Sequence, residues 1–342
     1  MTTKTRADLD KSPLIAVTMG DPAGIGPEVI IKALSLAEIH RLCRPVVVGD
    51  AGVMKNAMKV AKVSPLVLNE IKRIENGNFQ NGIINILNMD NVEASKLKTG
   101  KISAEAGRAA IKYVERATDL ALEGKVHAIA TAPINKEAVH KAGYKFDGHT
   151  ELLAKRSGVT NYAMMFLSDS IRVALVTTHI PLSQVPKELD RKKILSLIKL
   201  VDKELTKLLG KSPRIGVAGL NPHAGENGIF GTEDEKIIRP AVDEAKKSGI
   251  DVKGPISADA IFYLANIGMF DIVIAMYHDQ GLIPLKLLSF NRSVNVTIGL
   301  PIIRTSVDHG TGFDIAGKGW ANPGSMVQAI KVAAMMAMKK RE

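Results

Sequence analysis

The chain has 342 residues, of which 46% are hydrophobic, 24% charged and 4% aromatic, with a formal net charge of +11 and a single cysteine, Cys43. That length suggests about two domains, the composition is that of an ordinary soluble globular protein, and one cysteine excludes both a disulfide framework and a cysteine-rich zinc site. No apolar run approaches the ~20 residues of a membrane span, and the polar opening from Met1 to Ser12 lacks the apolar segment of a secretory signal, so a cytoplasmic enzyme is expected. Lysines scattered on predicted helix faces, such as Lys192-Lys193 and Lys246-Lys247, read as a solvated basic surface. With so few aromatics, that surface suits steering of a small anionic substrate at least as well as nucleic-acid binding.

Strand-like runs alternate with helix-like segments throughout, the pattern of an α/β protein. The first run, Ile15 to Met19, leads into Gly20-Asp21-Pro22-Ala23-Gly24-Ile25-Gly26-Pro27-Glu28 and then a helix over Val29 to Leu36. Pro27 suits a first helical turn, but the glycine spacing is not G-x-G-x-x-G. A structural turn and a ligand loop both remain open. Ser103 is placed to cap a helix with Ala106, Ala110, Ile111, Val114, Ala117 and Ala121 on one side and Gly124 past its end. A loop over 146–151 opens a helix at Leu152. His149 and Thr150 there suit an anion at a helix start, with Asp147 or Thr150 as a plain N-cap the alternative. Asp190 is placed to cap a helix carrying Ile194, Leu197, Ile198, Val201, Leu205 and Leu208 inward, closed by Gly210.

Three further apolar runs have the length of buried parallel strands: Val173 to Val176, Ile215 to Ala218 and Ile272 to Met276. Each is followed by a histidine, His179, His223 and His278 in turn. Open α/β sheets bind ligands at the carboxyl ends of their strands, so three imidazoles arriving there could hold one divalent metal. Their wide separation excludes a zinc finger, and three protein ligands leave positions for substrate. Lys286 follows the apolar or strand-like run Leu282 to Leu285, Arg304 follows Pro301 to Ile303, and Asn295 lies within Val294 to Thr297. Polar groups in such surroundings need partners, an anionic substrate or an internal salt bridge. Asp308 to Gly324 holds five glycines in 17 residues, an extended loop of the kind ligands order. An amphipathic helix over Met326 to Lys340 closes the sequence, its methionines read as packing.

From Val17 to Asn322 the chain resembles the 4-hydroxythreonine-4-phosphate dehydrogenase family. The motifs that carry the likeness are the first glycine loop, GHTE at 148–151, NPHAGE at 221–226, YHDQG at 277–281 and the loop at 308–317. The two end loops also resemble those of the isocitrate and isopropylmalate dehydrogenases. The resemblance implies a two-domain α/β/α fold of that dehydrogenase type, not a Rossmann fold. One domain would comprise 1–135 plus 290–342 with the cofactor loops, the other 136–289 with the metal ligands and dimer contacts, and the active site would lie in the cleft between them.

The same resemblance implies a homodimer whose active sites draw on both subunits. By it, His179, His223 and His278 are metal ligands contributed across the dimer, for zinc, magnesium or cobalt. His149, Thr150, Lys286, Asn295 and Arg304 match substrate-binding positions. His309, Gly310, Thr311, Asp314, Ile315 and Asn322 become candidates for the cofactor. An acidic group like Asp314 accepts from ribose hydroxyls and repels a 2′-phosphate, which favours NAD over NADP. The implied reaction is oxidation of the C3 hydroxyl of 4-phosphohydroxy-L-threonine and decarboxylation of the 3-oxo acid, in vitamin B6 synthesis. Lys136, Asp259 and Asp279 are the candidates for the base. The family also includes enzymes acting on the 4-phosphates of D-threonate and D-erythronate and on an aromatic dihydrodiol carboxylate. The runs Thr131 to Lys136 and Ile283 to Leu288 lean towards the sugar-acid branch. A metal-dependent hydrolase and a nucleic-acid-binding protein are the rival classes, the first disfavoured by the late loop's resemblance to the cofactor loop of the isocitrate and isopropylmalate dehydrogenases.

Overall fold

The computed structural model describes residues 12–63, 65–145, 148–290 and 292–341. The chain divides into two compact units, 1–160 with 300–342 and 161–299. The boundaries expected at 135/136 and 289/290 therefore differ from those of the compact units. The reason is packing: the helix at 149–156 belongs with the long helix at 104–122 of the first unit, tied by Arg156 to Asp119 through two hydrogen bonds of 2.7 Å.

The first unit opens with β1 (Leu14–Thr18), α1 (Gly26–Leu34), α2 (Ala37–Leu42), β2 (Arg44–Gly49), α3 (Ala51–Val60), β3 (Val67–Ile71) and β4 (Ile83–Asn88). It continues with α4 (Ala104–Leu122), β5 (Ala128–Thr131), α5 (Lys136–Lys141) and α6 (His149–Arg156). The second unit contains β6 (Ala163–Leu167), β7 (Arg172–Leu175), α7 (Val185–Glu188), α8 (Arg191–Leu209), β8 (Ile215–Ala218), α9 (Arg239–Lys247), β9 (Val252–Ile256), α10 (Ala258–Asn266), β10 (Ile272–Ala275), α11 (His278–Ser289) and β11 (Val294–Ile298). The chain then returns to the first unit with β12 (Ile303–Val307) and α12 (Gly324–Lys339).

In the first unit the strand order is β3-β4-β2-β1-β5-β12, and every pairing is parallel. The chain moves to one side of β1 and later to the other, so β1 and β5 form a topological switch point. The loops that follow β1, β5 and β12 all leave the same edge. All five residues of β1 are buried, as a parallel strand covered on both faces requires. In the second unit the order is β11-β6-β7-β10-β8-β9, antiparallel at β11-β6 and β6-β7 and parallel beyond. Its core packs Val173, Leu175, Val273 and Ala275 of the sheet against Ile261, Phe262, Leu282 and Leu285 of the helices. No helix among the described residues is long and apolar enough to cross a membrane.

The caps read from the sequence form. Ser103 accepts from the Ala106 amide at 3.1 Å, Asp190 accepts from Lys193 at 3.1 Å, and Gly210 ends α8 at φ 72°. Two expectations shift. The first helix begins at Gly26 rather than Val29, with Pro27 in its first turn. The run at 282–285, expected apolar or strand-like, is the middle of α11, with Pro284 inside the helix. Four apolar residues do not distinguish the two periods.

Candidate active site

In the first unit the glycine loop after β1 is tied into the protein by its backbone. Three of its amides are bonded within the protein: Asp21 N–H donates to Pro133 O at 2.9 Å, Ile25 N–H to Thr311 O at 2.9 Å, and Ala23 N–H to Asp21 Oδ1 at 2.9 Å. A Cβ on Gly24 would stand 2.8 Å from Thr311 O, so glycine is needed for contact with the late loop. Asp21 is wholly buried, its Oδ2 has no hydrogen-bond partner, and burial pushes its carboxyl up to about 6 against the lowering effect of the Ala23 amide.

Arg304 lies inside β12 and is 2% exposed. One of its Nη atoms donates to Thr131 Oγ1 of neighbouring β5 at 2.9 Å. Burial pulls the guanidinium down to about 9, which still leaves it charged at neutral pH. His149, the first residue of α6, is buried too, and its Nε2 has no hydrogen-bond partner. Burial first, and the Arg304 charge second, hold this imidazole well below its ordinary pKa, so it stays neutral. A buried cation beside a neutral imidazole with an unused nitrogen at a helix start suits an oxyanion such as phosphate. Thr150 follows in the first turn and is thus not the N-cap. Asp147, the other cap candidate, lies outside the described residues. Glu151, whose Oε2 is buried without a partner, went unnoticed in the sequence although it completes GHTE.

The late loop carries His309, whose Nδ1 bonds Gly310 O at 2.9 Å while Nε2 is buried without a partner. A Cβ on Gly310 would meet nothing within 4 Å. Asp314 and Asn322 are exposed, and Asn322 Oδ1 accepts from the Gly324 amide at 2.7 Å at the start of α12. Thr311 is buried and Ile315 half-buried. An orphaned imidazole nitrogen, an open glycine and an exposed carboxylate fit a nucleoside group. Lys136, exposed, opens α5 behind its cap Asn135.

In the second unit the histidines are positioned by strand ends. β7 and β10 stay bonded past their limits, with Val176 N–H donating to Ala275 O at 2.9 Å and Thr177 Oγ1 to Met276 O at 2.8 Å. His179 and His278 therefore emerge side by side, ring centroids 5.8 Å apart. Asp279 Oδ1 lies 2.7 Å from His278 Nδ1, which leaves Nε2 for another ligand and fixes the ring. Gln280 stitches two strand ends: its Oε1 accepts from Met276 N–H and its Nε2 donates to Gly219 O, both at 2.7 Å. Gly281 lets α11 approach the sheet, since a Cβ there would lie 2.7 Å from Val173 Cγ1. Each residue of the YHDQG motif after its tyrosine thus has a geometric task.

His223 sits in a left-handed run. Residues 223–227 have φ of 53°, 53°, 81°, 39° and 55°, and four of the five are not glycine. Such a conformation costs roughly 1–2 kcal/mol per non-glycine residue and persists where its surroundings hold it. The holder is buried Asp234, which accepts from the Leu220 and Asn221 amides at 2.8 and 3.1 Å and from Asn221 Nδ2 at 2.9 Å. His223 packs by Phe230, ring centroids 6.0 Å apart. Nearby Asp259 has its carboxyl held below the ordinary value mainly by a 2.6 Å hydrogen bond from Ser257. Among the described residues no group of three or more His, Cys, Asp or Glu side chains is arranged to hold a metal. One chain offers the His179–His278 pair, not a closed three-histidine site. Two facing imidazoles suit part of a divalent-metal donor set.

Lys286 lies two turns beyond His278 on α11, its Nζ 5.9 Å from the Phe290 ring. Asn295, half-buried on β11, has a buried Oδ1 without a partner and an Nδ2 at 3.9 Å from Met164 Sδ. Sequence reasoning missed Gln280 and Asp234. Gln280 stood inside a quoted motif, but Asp234 carries no local signal.

A parallel α/β unit with a buried guanidinium–imidazole pair, and a mixed α/β unit with paired strand-end imidazoles, define an enzyme built for an anionic substrate. Comparison with known proteins narrows that class. The chain belongs to the PdxA family: the family model described as pyridoxal phosphate biosynthetic protein PdxA matches residues 41–333. It is 47% identical over 329 residues to a 4-hydroxythreonine-4-phosphate dehydrogenase of Desulforapulum autotrophicum, covering 96% of each chain. It is 48% identical to a D-threonate 4-phosphate dehydrogenase of Pectobacterium atrosepticum over 326 residues, 95% of this chain and 100% of that one. The crystal structure of a 4-hydroxythreonine-4-phosphate dehydrogenase from Klebsiella pneumoniae superposes with a TM-score of 0.88 at 46% identity, covering 95% of this chain and 100% of that one. The chain is accordingly an oxidoreductase, of a dehydrogenase family whose chemistry calls for a nicotinamide cofactor.

Proposed function

We propose that the enzyme oxidises the C3 hydroxyl of 4-phosphohydroxy-L-threonine with NAD and releases the carboxylate as carbon dioxide, giving 3-amino-2-oxopropyl phosphate for pyridoxal phosphate synthesis. The observation that carries this reading is the buried Arg304–His149 pair, a ready receptor for the substrate phosphate. Arg304 supplies charge and forked donors, and neutral His149 donates one hydrogen bond from Nε2. Thr150, Lys286 and Asn295 are the other residues proposed to bind the substrate. Asp279 orients His278 through the 2.7 Å contact. When bound, a divalent metal would polarise the hydroxyl and a nicotinamide would take the hydride. His179 and His278, with His223, are the residues proposed to hold that metal, zinc, magnesium or cobalt. His309, Gly310, Thr311, Asp314, Ile315 and Asn322 are those proposed for NAD. Asp314 disfavours a 2′-phosphate by like charge.

Removal of the hydroxyl proton falls to Lys136, Asp259 or Asp279. The hydrogen bond from Ser257 holds the Asp259 carboxyl below its ordinary value, which weakens it as a base. The fold is proposed to be of the isocitrate dehydrogenase type, on the likeness of the end loops, and a cytoplasmic location suits the family's biosynthetic description. A homodimer is supported by α11, which starts at His278 and leaves Ile283, Leu287 and Phe290 exposed at 65%, 84% and 71%. A second copy covering that face would bring its own donors to the imidazole pair.

A second reading, oxidative decarboxylation of D-threonate or D-erythronate 4-phosphate, is favoured by the 48% identity to the D-threonate enzyme. Steady-state comparison of the three acids separates the two. The first reading expects the highest kcat/KM for 4-phosphohydroxy-L-threonine; a higher value for either sugar acid overturns it in favour of the second.

A further inference from the structure

The late loop, Asp308 to Pro323, contains neither helix nor strand, and a loop's backbone groups need partners to hold one shape. Two of its residues receive those partners from a single, largely buried ion pair on α1. Glu28, 2% exposed, accepts from the Ala321 amide at 2.8 Å through Oε1 and from the Gly319 amide at 3.2 Å through Oε2. Lys32, one turn further on, donates to Gly319 O at 2.9 Å, to Ala321 O at 2.8 Å and to Glu28 Oε1 at 2.9 Å. All three ammonium donors are used, and both N–H and both C=O groups of Gly319 and Ala321 are claimed. The residue between them, Trp320, is 68% exposed and is the only tryptophan in the chain. The other end of the loop is stitched to the first loop by the Ile25–Thr311 bond. His309 flanks that stitch, and Asp314 lies between the two anchors.

We propose that Glu28 and Lys32 are positioning residues for the dinucleotide, an ion-pair clamp that keeps the 308–322 loop in its binding shape. This rests on the reading of that loop as the cofactor site. A buried ion pair is seldom more stabilising than well-packed apolar side chains of similar size, so stability alone is a poor reason for one here. What the pair supplies and apolar groups cannot is hydrogen bonding to the loop backbone. An apolar replacement at both positions therefore leaves the fold intact and frees the loop.

The test compares the wild type with the Glu28→Leu/Lys32→Met double variant and with Glu28→Gln, which keeps size but presents a donor where acceptors are needed. NADH is the probe, titrated by calorimetry and by Trp320 emission. Expected for the double variant are a melting temperature close to wild type and an NADH Kd raised about tenfold or more. Its KM for the phosphorylated acid at saturating NAD should stay within about twofold of wild type. Glu28→Gln should speed amide exchange at Gly319 and Ala321 and weaken NADH in the same direction, so a poorly folding double variant leaves a second arm. If NADH shifts wild-type Trp320 emission but both variants bind it as tightly as wild type, the clamp is overturned and the cofactor site stands. If NADH binds wild type without changing Trp320 emission or exchange across 308–322, the cofactor reading fails and the proposal with it.

Discussion

Arg304 shows what a single residue contributes when the fold has buried its charge. A guanidinium at 2% exposure is already desolvated, so an arriving phosphate gains more from it than from a surface arginine. Replacing it with methionine should raise KM for the phosphorylated acid by about two orders of magnitude, some 3 kcal/mol, with a smaller change in kcat, measured by NADH formation. Asp21 illustrates the opposite situation, a buried carboxyl with one oxygen unused. Its folded pKa of about 6 lies above its ordinary 3.8, so the folded state binds the proton more tightly than the unfolded one. Stability from this group is fully present below about pH 4 and is lost as pH rises through about 6. Asp21→Asn keeps the acceptor for the Ala23 amide and cannot ionise. Its melting temperature should match wild type near pH 4 and exceed it at pH 7.5, where the difference is on the order of 3 kcal/mol, read by calorimetry at the two pH values.

At the scale of elements, α11 is the piece on which most depends. Its start carries His278 and Asp279, Gln280 joins it to two strand ends, and Gly281 permits its approach to β7. Gly281→Val should cost roughly 1–3 kcal/mol through overpacking against Val173 and Leu175, seen as a lower midpoint in denaturant. The same variant should disturb the His179–His278 pair and lower activity beyond what the stability loss explains. Asp234→Asn should loosen the left-handed run at 223–227, raising amide exchange there while distant strands stay protected. Much of this was legible in the sequence. Buried strands at 173–176, 215–218 and 272–276 and the caps at Ser103 and Asp190 follow from local periodicity and side-chain chemistry. The turn after β1 was ambiguous because glycine serves ligand contact and chain contact equally well. The helix through Lys286 was hidden by an apolar run too short to show a period. Glu28's grip on Gly319 and Ala321 spans 291 and 293 residues, a separation no local pattern encodes.

For the whole molecule, one unit carries a buried cation and the late loop proposed for the dinucleotide, and the other carries strand-end imidazoles. The family model spans parts of both units. The exposed apolar face of α11 belongs to this scale, because among the described residues no third His, Cys, Asp or Glu groups with His179 and His278 to hold a metal. Leu287→Glu places a charge on the proposed dimer face. It should shift the enzyme from dimer to monomer in sedimentation and reduce activity at least tenfold, while an active monomer would contradict shared active sites.

The most direct measurement is the kcat/KM of wild type and Arg304→Met for 4-phosphohydroxy-L-threonine and for its dephosphorylated counterpart, followed by NADH and carbon dioxide release. The expected result is a penalty of about a hundredfold or more for losing the phosphate in wild type, largely abolished in the variant. An equal penalty in both proteins, or no NADH from wild type with the phosphorylated acid, would contradict phosphate capture by Arg304 and the oxidation built on it.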